Sequence, residues 1–431
     1  MAVIVNAISR RLRQLRRSEL QSNALSLYAN QGLNYLVPLI VLPYLVRILG
    51  PSGYGSIGIA QSLMAYAIVL TDFGFNLTAA RDISVARHDA AAVSRIYWTT
   101  MAAKLLLLGI SMILLTGIVL ITPSFRHDWP IFLACSVMVF GNIGFPQWYL
   151  QGLERLKDSA AIQASTKIAG GAATFIFVHS SSDVCLAAFI SSAPQLLGIG
   201  AALIWRTQLM PTTFYRPTVN EVLRSLSGNW QVFASSISTT LYGITNNIVL
   251  GLIAGPSSVG IYSLSQRLVT TIQGLAVPLT QAVFPRASML FDTDRDGAWK
   301  LMSRLVKVLF PMVGACALLL GIFAPTIVRI LGGPAMMGAV PLVRILAITP
   351  VFIAVGALPA QIILVSNGRT SELFRIYLMV GIANVLIMPV LVYRYSAIGA
   401  AWSMTISEAF AAGQMVWLAL RDRRLPQPAR Q

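Results

Sequence analysis

The sequence predicts an all-α integral membrane protein made of two related halves. Composition is the first observation: 56% of the 431 residues are hydrophobic and only 11% are charged, with a mean hydropathy of +0.71. The second is that apolar runs long enough to cross a hydrocarbon core, roughly 20 residues of helix each, recur along the whole chain. The third is an internal repeat. GPSGYGSIGIAQSL from Gly50 to Leu63 returns as GPSSVGIYSLSQRL from Gly255 to Leu268, in each case as a short turn between two apolar runs. Duplicated apolar halves are a common plan of membrane transporters.

The apolar runs predict twelve spans. They lie at 23–49, 53–75, 96–122, 129–152, 159–178 and 184–205, then at 228–253, 258–284, 308–331, 339–365, 373–393 and 397–420. Lipid cannot satisfy backbone amides, and the runs are too long and continuous for barrel strands, so they are expected to be helices. The resulting division is a basic arm at 1–22, a first lobe at 23–206, a linker at 207–227, a second lobe at 228–420 and a tail at 421–431. Pro38 and Pro43, Pro146, Pro278, and Pro350 and Pro359 interrupt the first, fourth, eighth and tenth spans, where each frees a carbonyl and permits a kink.

A net charge of +17 suggests nucleic acid at first sight, but its placement excludes that reading. Of the 32 Lys and Arg, 24 fall on one side of the expected bilayer. The opposite side holds only Arg47, Arg126, Arg329 and Arg394. This asymmetry is the positive-inside rule, and it predicts an even number of crossings with both termini cytoplasmic. MAVIVNAISRRLRQLRRSEL lacks the apolar core of a signal peptide and is expected to stay as an arm on anionic headgroups. Cys135, Cys185 and Cys316 stand isolated within spans, and His88, His127 and His179 fall in or beside separate loops, so no disulfide, metal or cofactor is expected.

Lys104, Lys167, Arg267 and Arg344 lie inside predicted spans. Each costs about 2.5–3.5 kcal/mol at the bilayer centre if it faces lipid, so they are expected on the wall of a wet cavity between the lobes, facing an anionic cargo. Snorkelling or helix-to-helix pairing is the bland alternative for each taken singly. Arg suits diphosphate because its planar fork donates two parallel hydrogen bonds and stays charged. Glu408, in the last span, is a candidate for proton or cation coupling, with pairing to a buried cation as the competing account. Asp72 is expected to act as a gate or structural cap, paired with Arg81.

The fourth span ends in FPQWYLQGLERLK, Phe145 to Lys157. With it stand SLYANQGLNYLVPLIVLPYLVRILGPSGYG from Ser26 to Gly55, TDFGFNLTAARDIS from Thr71 to Ser84 and SVGIYSLSQRL from Ser258 to Leu268. In content and order these segments resemble the polysaccharide flippases of the Wzx type, in the MOP exporter superfamily. The resemblance runs from about Asn23 to Arg421. It implies two six-helix lobes around a central cavity, as in the MATE-like transporters. It also implies movement of a polyprenyl diphosphate-linked oligosaccharide across a bacterial inner membrane by alternating access, with polymerase and glycosyltransferases of the same pathway as partners. Under that arrangement Tyr28, Gln31 and Asn34 on the first span and Tyr242, Asn246 and Asn247 on the seventh would line the cavity. Trp148 and Gln151 are further candidates for sugar contact, ordinary helix-to-helix bonding being the alternative for each.

Other classes are weaker. A multidrug exporter shares the plan, but a cationic cargo favours acidic cavity residues. A membrane glycosyltransferase or polymerase needs a substantial outer loop, whereas the longest here runs only from Gly332 to Gly338. DTDRDG at Asp292–Gly297 opens like a calcium loop, yet Ser303 stands where a bidentate Glu is required. There is no GxxxxGK[ST] phosphate loop, so the chain is expected not to be an enzyme and to draw on a gradient or product removal.

Overall fold

The computed structural model describes residues 2–204 and 213–424, with side chains from residue 36 onward apart from those of 202–204, 239, 242, 278, 282, 370 and 424. Among the described residues every regular element is helical. Among the described residues, seven helices are long and apolar enough to cross a membrane, or eight if the bent pair Val184–Ser192 and Pro194–Ala201 is one span. Three of the longest contain a break where the sequence places an outer turn: Ala2–Asp72 at Gly50, Val219–Thr293 at Gly255, and Thr370–Arg424 at Ser396. A helix of 71 residues would be about 106 Å long if straight, more than three times the hydrocarbon thickness. These breaks are therefore where the chain turns back.

Helix starts follow local signals. Asp89 accepts from the backbone of Ala91 and Ala92 at 3.0 Å to open Ala90–Ile121. Thr218 and Glu221 form a capping box at the head of Val219–Thr293, so that helix starts earlier than the predicted linker end at 227. Asp294 accepts from Gly297 N at 2.9 Å and opens Arg295–Gly332, which makes the DTDRDG stretch a helix cap. Such caps contribute typically about 1 kcal/mol each. The tail helix runs through Arg424, past the expected boundary at 420. The tenth span is broken into Ala339–Leu346, Thr349–Phe352, a π segment at Ile353–Ala357 and Leu358–Ser366. Pro350 and Pro359, each lacking an amide proton, sit at two of these breaks.

The two copies of the repeat meet. Gly50 and Gly255 share one conformation, φ 69° and ψ 178° against φ 77° and ψ 172°, in a region that side chains disfavour. A Cβ on Gly55 would stand 1.8 Å from the Pro256 carbonyl oxygen, and one on Gly260 would stand 2.0 Å from that of Pro51. The contact is reciprocal, as a pseudo-twofold relation of the halves demands. From this point a seam of small and polar residues runs inward, with Gly58 against Ser263 and Gly251 against Ile59. Asn247 donates to Ser62 Oγ at 2.9 Å across it, and Tyr66 bonds Thr245. Small residues let backbones approach where hydrophobicity cannot drive helices together in lipid.

Candidate functional site

Two of the four intramembrane cations share a pocket. It has a volume of about 300 Å³ and is walled by the first, second, fifth and sixth spans, with Arg267 entering from the eighth. Lys167 and Arg267 supply its charge, Tyr54 and Gln61 its polar rim, and Val41, Leu42 and Leu45 its apolar wall. Gly170 and Gly171 leave room there, since a Cβ on Gly171 would press Val37 and Val41 at 3.2 and 3.3 Å. Gln61 is oriented by donating to Ser191 Oγ at 3.1 Å. No carboxylate lies within ion-pair distance of Arg267 among the described residues. Two like charges so placed, with an apolar wall beside them, combine a cationic surface with an apolar one in a single pocket.

Lys167 and Pro194 also border a smaller chamber of about 60 Å³, lined by Asn76, Asn142, Gln147, Gln163 and Gln195. It has room for about two waters. Asn142 Oδ1 is buried there without a partner among the described residues. Sequence reasoning missed these carboxamides, although amides at membrane depth in spans four to six were a visible signal. Gln163 lies one turn from Lys167 on the same helix, and Gln195 follows the 48° bend of the sixth span at Ala193.

The other two cations are elsewhere, which corrects the expectation of a four-cation wall. Lys104 is 1% exposed and pairs with Asp72 at 2.9 Å. Its ammonium lies 5.8 Å from the Trp148 ring, and Trp148 stacks on Tyr97 at 5.6 Å. Asp72 is thus held by Lys104 and not by Arg81, because helix breaks at Phe73 and Gly74, φ 46° and 86°, turn the next helix, with an exposed Arg81, away from it. Trp148 is itself buried to 1%, so it covers this ion pair and does not face the pocket. Arg344 stands on the exposed side of Ala339–Leu346, whose Ala339, Val340, Leu342, Val343 and Leu346 face the core. It donates to Gly321 O at 3.3 Å in an open groove walled by Leu318, Ile322 and Ile348. The helical period forces this outcome: with those five residues on the buried stripe, position 344 falls on the exposed side.

The TDFGF motif joins the halves at the other end of the seam. Phe73 stacks on Phe233 at 4.4 Å, and a Cβ on Gly74 would stand 2.7 Å from Val232. In the QGLE turn, Glu154 adopts φ 61° and pairs with Arg87 at 2.7 Å.

Glu408 belongs to a second polar cluster, inside the second half. It is 5% exposed and lies within electrostatic reach of Tyr262 and Tyr377. Asn246 donates to Tyr262 Oη at 3.1 Å, and Asn384 donates to Ser403 and Ser407 at 3.1 and 2.9 Å. Asn246 Oδ1 and Asn384 Oδ1 are buried acceptors without a partner among the described residues. Asn246 is therefore buried within its lobe and does not line the pocket, while Asn247, a helical step of about 100° away, faces the seam. The side chains of Tyr28, Gln31, Asn34 and Tyr242 lie outside those described. Among the described residues no group of three His, Cys, Asp or Glu is placed to hold a metal.

Outside the spans, the linker docks on the third span. Ser94 and Trp98 donate to the Thr213 carbonyl, and Arg95 pairs with Glu221 at 2.6 Å. The Thr218 amide and the Tyr215 hydroxyl on the Glu221 carboxylate hold its pKa down at about 2.

Comparison with known proteins follows this geometry. A family model described as "Polysaccharide biosynthesis protein" matches residues 20–291. The "Putative O-antigen transporter" of Escherichia coli (strain K12) is 30% identical over 408 residues, covering 94% of this chain and 98% of that protein. Among solved structures, the lipid II flippase MurJ in an inward closed conformation superimposes with a TM-score of 0.71 at 12% identity, over 94% of this chain and 88% of that one. An inward-facing multidrug resistance MATE family transporter of the MOP superfamily gives 0.66 at 14%, over 90% and 98%. At these identities the two structures speak to the fold, which is that of the MOP transporters.

Proposed function

This chain belongs to the polysaccharide biosynthesis protein family, and on that premise we propose that it is a flippase for polyprenyl diphosphate-linked oligosaccharide. The observation that carries the reading is the pocket in which Lys167 and Arg267 meet beside an apolar wall. A diphosphate cannot cross hydrocarbon unaided, whereas a prenyl tail is at home in it. The two cations replace the water shed by the diphosphate, the guanidinium by a bidentate grip and the ammonium as a point charge. Amides around Lys167 offer donors and acceptors to groups beyond the phosphate. Rocking of the halves about the glycine seam then exposes the pocket to one side at a time.

The finer parts of the reading are twelve crossings, both termini in the cytoplasm of a bacterium, residence in the inner membrane, and supply to a polymerase and glycosyltransferases. The charge asymmetry supports the orientation. Lys104 and Asp72 brace the first lobe, and Arg344 anchors the second in lipid. Energy enters through the Glu408 cluster, whose orphan amide oxygens and carboxylate suit a proton or a small cation. Cationic drugs fit this pocket poorly, and the chain carries out transport without bond chemistry.

The test is deletion with complementation. Wild type restores the surface polysaccharide, and Lys167→Ala with Arg267→Ala at normal expression leaves lipid-linked units on the inner face. Full export by that double variant overturns the reading.

A further inference from the structure

A second charged groove opens on the outer surface of the second half, at the end of the bundle where the chain leaves its last helix. It measures about 590 Å³ and runs between the eleventh and twelfth spans. Arg369, Arg375 and Arg421 stand at its mouth with Glu372. Arg369 is committed, pairing with Glu372 at 2.6 Å and with Asp422 at 3.2 Å. Arg375 and Arg421 have no carboxylate within 4.0 Å among the described residues. Arg421 lies instead over the Trp417 ring at 5.6 Å, and Trp is a residue of the headgroup boundary.

Below the two arginines each helix presents an exposed apolar stripe. On the eleventh span, Met379, Ile382 and Leu386 follow Arg375 at steps of four, three and four. On the twelfth, Trp417, Phe410 and Ile406 lead back from Arg421 at four, seven and four. These steps keep each set on one helix face, and Met379 and Trp417 line the groove together with the arginines. A cationic mouth above two apolar tracks matches a negatively charged headgroup with acyl chains beneath it.

We propose that this groove is a binding site for an anionic phospholipid. Its phosphate is gripped between Arg375 and Arg421 while its chains lie along the two stripes. A zwitterionic headgroup is disfavoured because it brings its own cation to the same mouth. The site is separate from the Lys167 and Arg267 pocket and does not depend on the transport reading.

Native mass spectrometry of the full chain, released from detergent with phosphatidylglycerol or phosphatidylcholine, tests it. The expected result is selective retention of phosphatidylglycerol, falling roughly 30-fold in Arg375→Gln with Arg421→Gln. Arg224→Gln with Arg304→Gln, an equal loss of charge elsewhere, should leave it unchanged, and the thermal midpoint of each variant reports folding. Equal retention of phosphatidylcholine, undiminished phosphatidylglycerol in the Arg375 and Arg421 variant, or equal loss in the charge control overturns the proposal. So does equal stabilisation by inorganic pyrophosphate, which would make this a phosphate site only. Displacement by farnesyl diphosphate but not by added phosphatidylglycerol would assign the groove to a prenyl carrier and likewise overturn it.

Discussion

Replacing Gly260 by Ala tests whether the repeat is the closure between the halves. The new methyl would stand 2.0 Å from the Pro51 carbonyl oxygen, with Pro51 C and Cα at 2.9 and 3.2 Å. A comfortable carbon-to-oxygen approach is about 3.3 Å, so the seam must part by roughly 1.3 Å there. Every obstacle is backbone, and no rotamer change relieves it. Overpacking of this kind costs about 1–3 kcal/mol, and the upper end applies where nothing flexible can yield. A shift of 3 kcal/mol changes the ratio of closed to open seam by roughly 150-fold. Ser263 is a suitable reporter, because its buried Oγ has no partner among the described residues and faces Gly58. In a background lacking Cys135, Cys185 and Cys316, a Ser263→Cys variant should resist an impermeant maleimide while Gly260 is present and react once it is Ala. Gly55→Ala should do the same, and the two together should not add, since one opening relieves both clashes. Unchanged labelling in a folded Gly260→Ala protein refutes the argument.

Further outcomes follow from the sites. Arg267→Lys should retain part of the export that Arg267→Ala loses, since charge survives without the fork, as read by accumulation of lipid-linked units. Asp72→Asn should destabilise the protein in detergent by about 3–5 kcal/mol by stranding Lys104, and adding Lys104→Met should recover most of that, as read by thermal unfolding. Glu221 titrates near 4.5 when free and at about 2 when folded, so its contribution is complete above pH 4.5 and is lost as pH falls toward 2. Acidification through that window should release the linker, reported by the fluorescence of Trp98, which bonds Thr213 O at 3.2 Å and packs on Phe214. Glu221→Gln should abolish this step. Arg95, Tyr215, Arg224 and Asp82 face the same carboxylate or its pocket.

Hydropathy and repetition made the architecture legible before any coordinates, because membrane helices announce themselves by length and apolarity. Gly50 and Gly255 marked turns between apolar runs, and Pro350 and Pro359 the broken tenth span, since glycine and proline act through the local backbone. The intramembrane cations were equally visible as a set. Their destinations were not. Lys104 found Asp72 across 32 positions of chain, Lys167 met Arg267 across 100, and Arg344 was carried to an exposed groove by the register of its own short helix.

What the sequence by itself determined is the membrane, the duplication and the excess of cations within the spans. These are sums over composition and short-range pattern. Only the tertiary structure decided which charges meet, which neutralise one another and which stay exposed. Those outcomes depend on helix rotation and on bends such as the one at Ala193, and a turn of 100° per residue sends neighbours such as Asn246 and Asn247 to different surroundings.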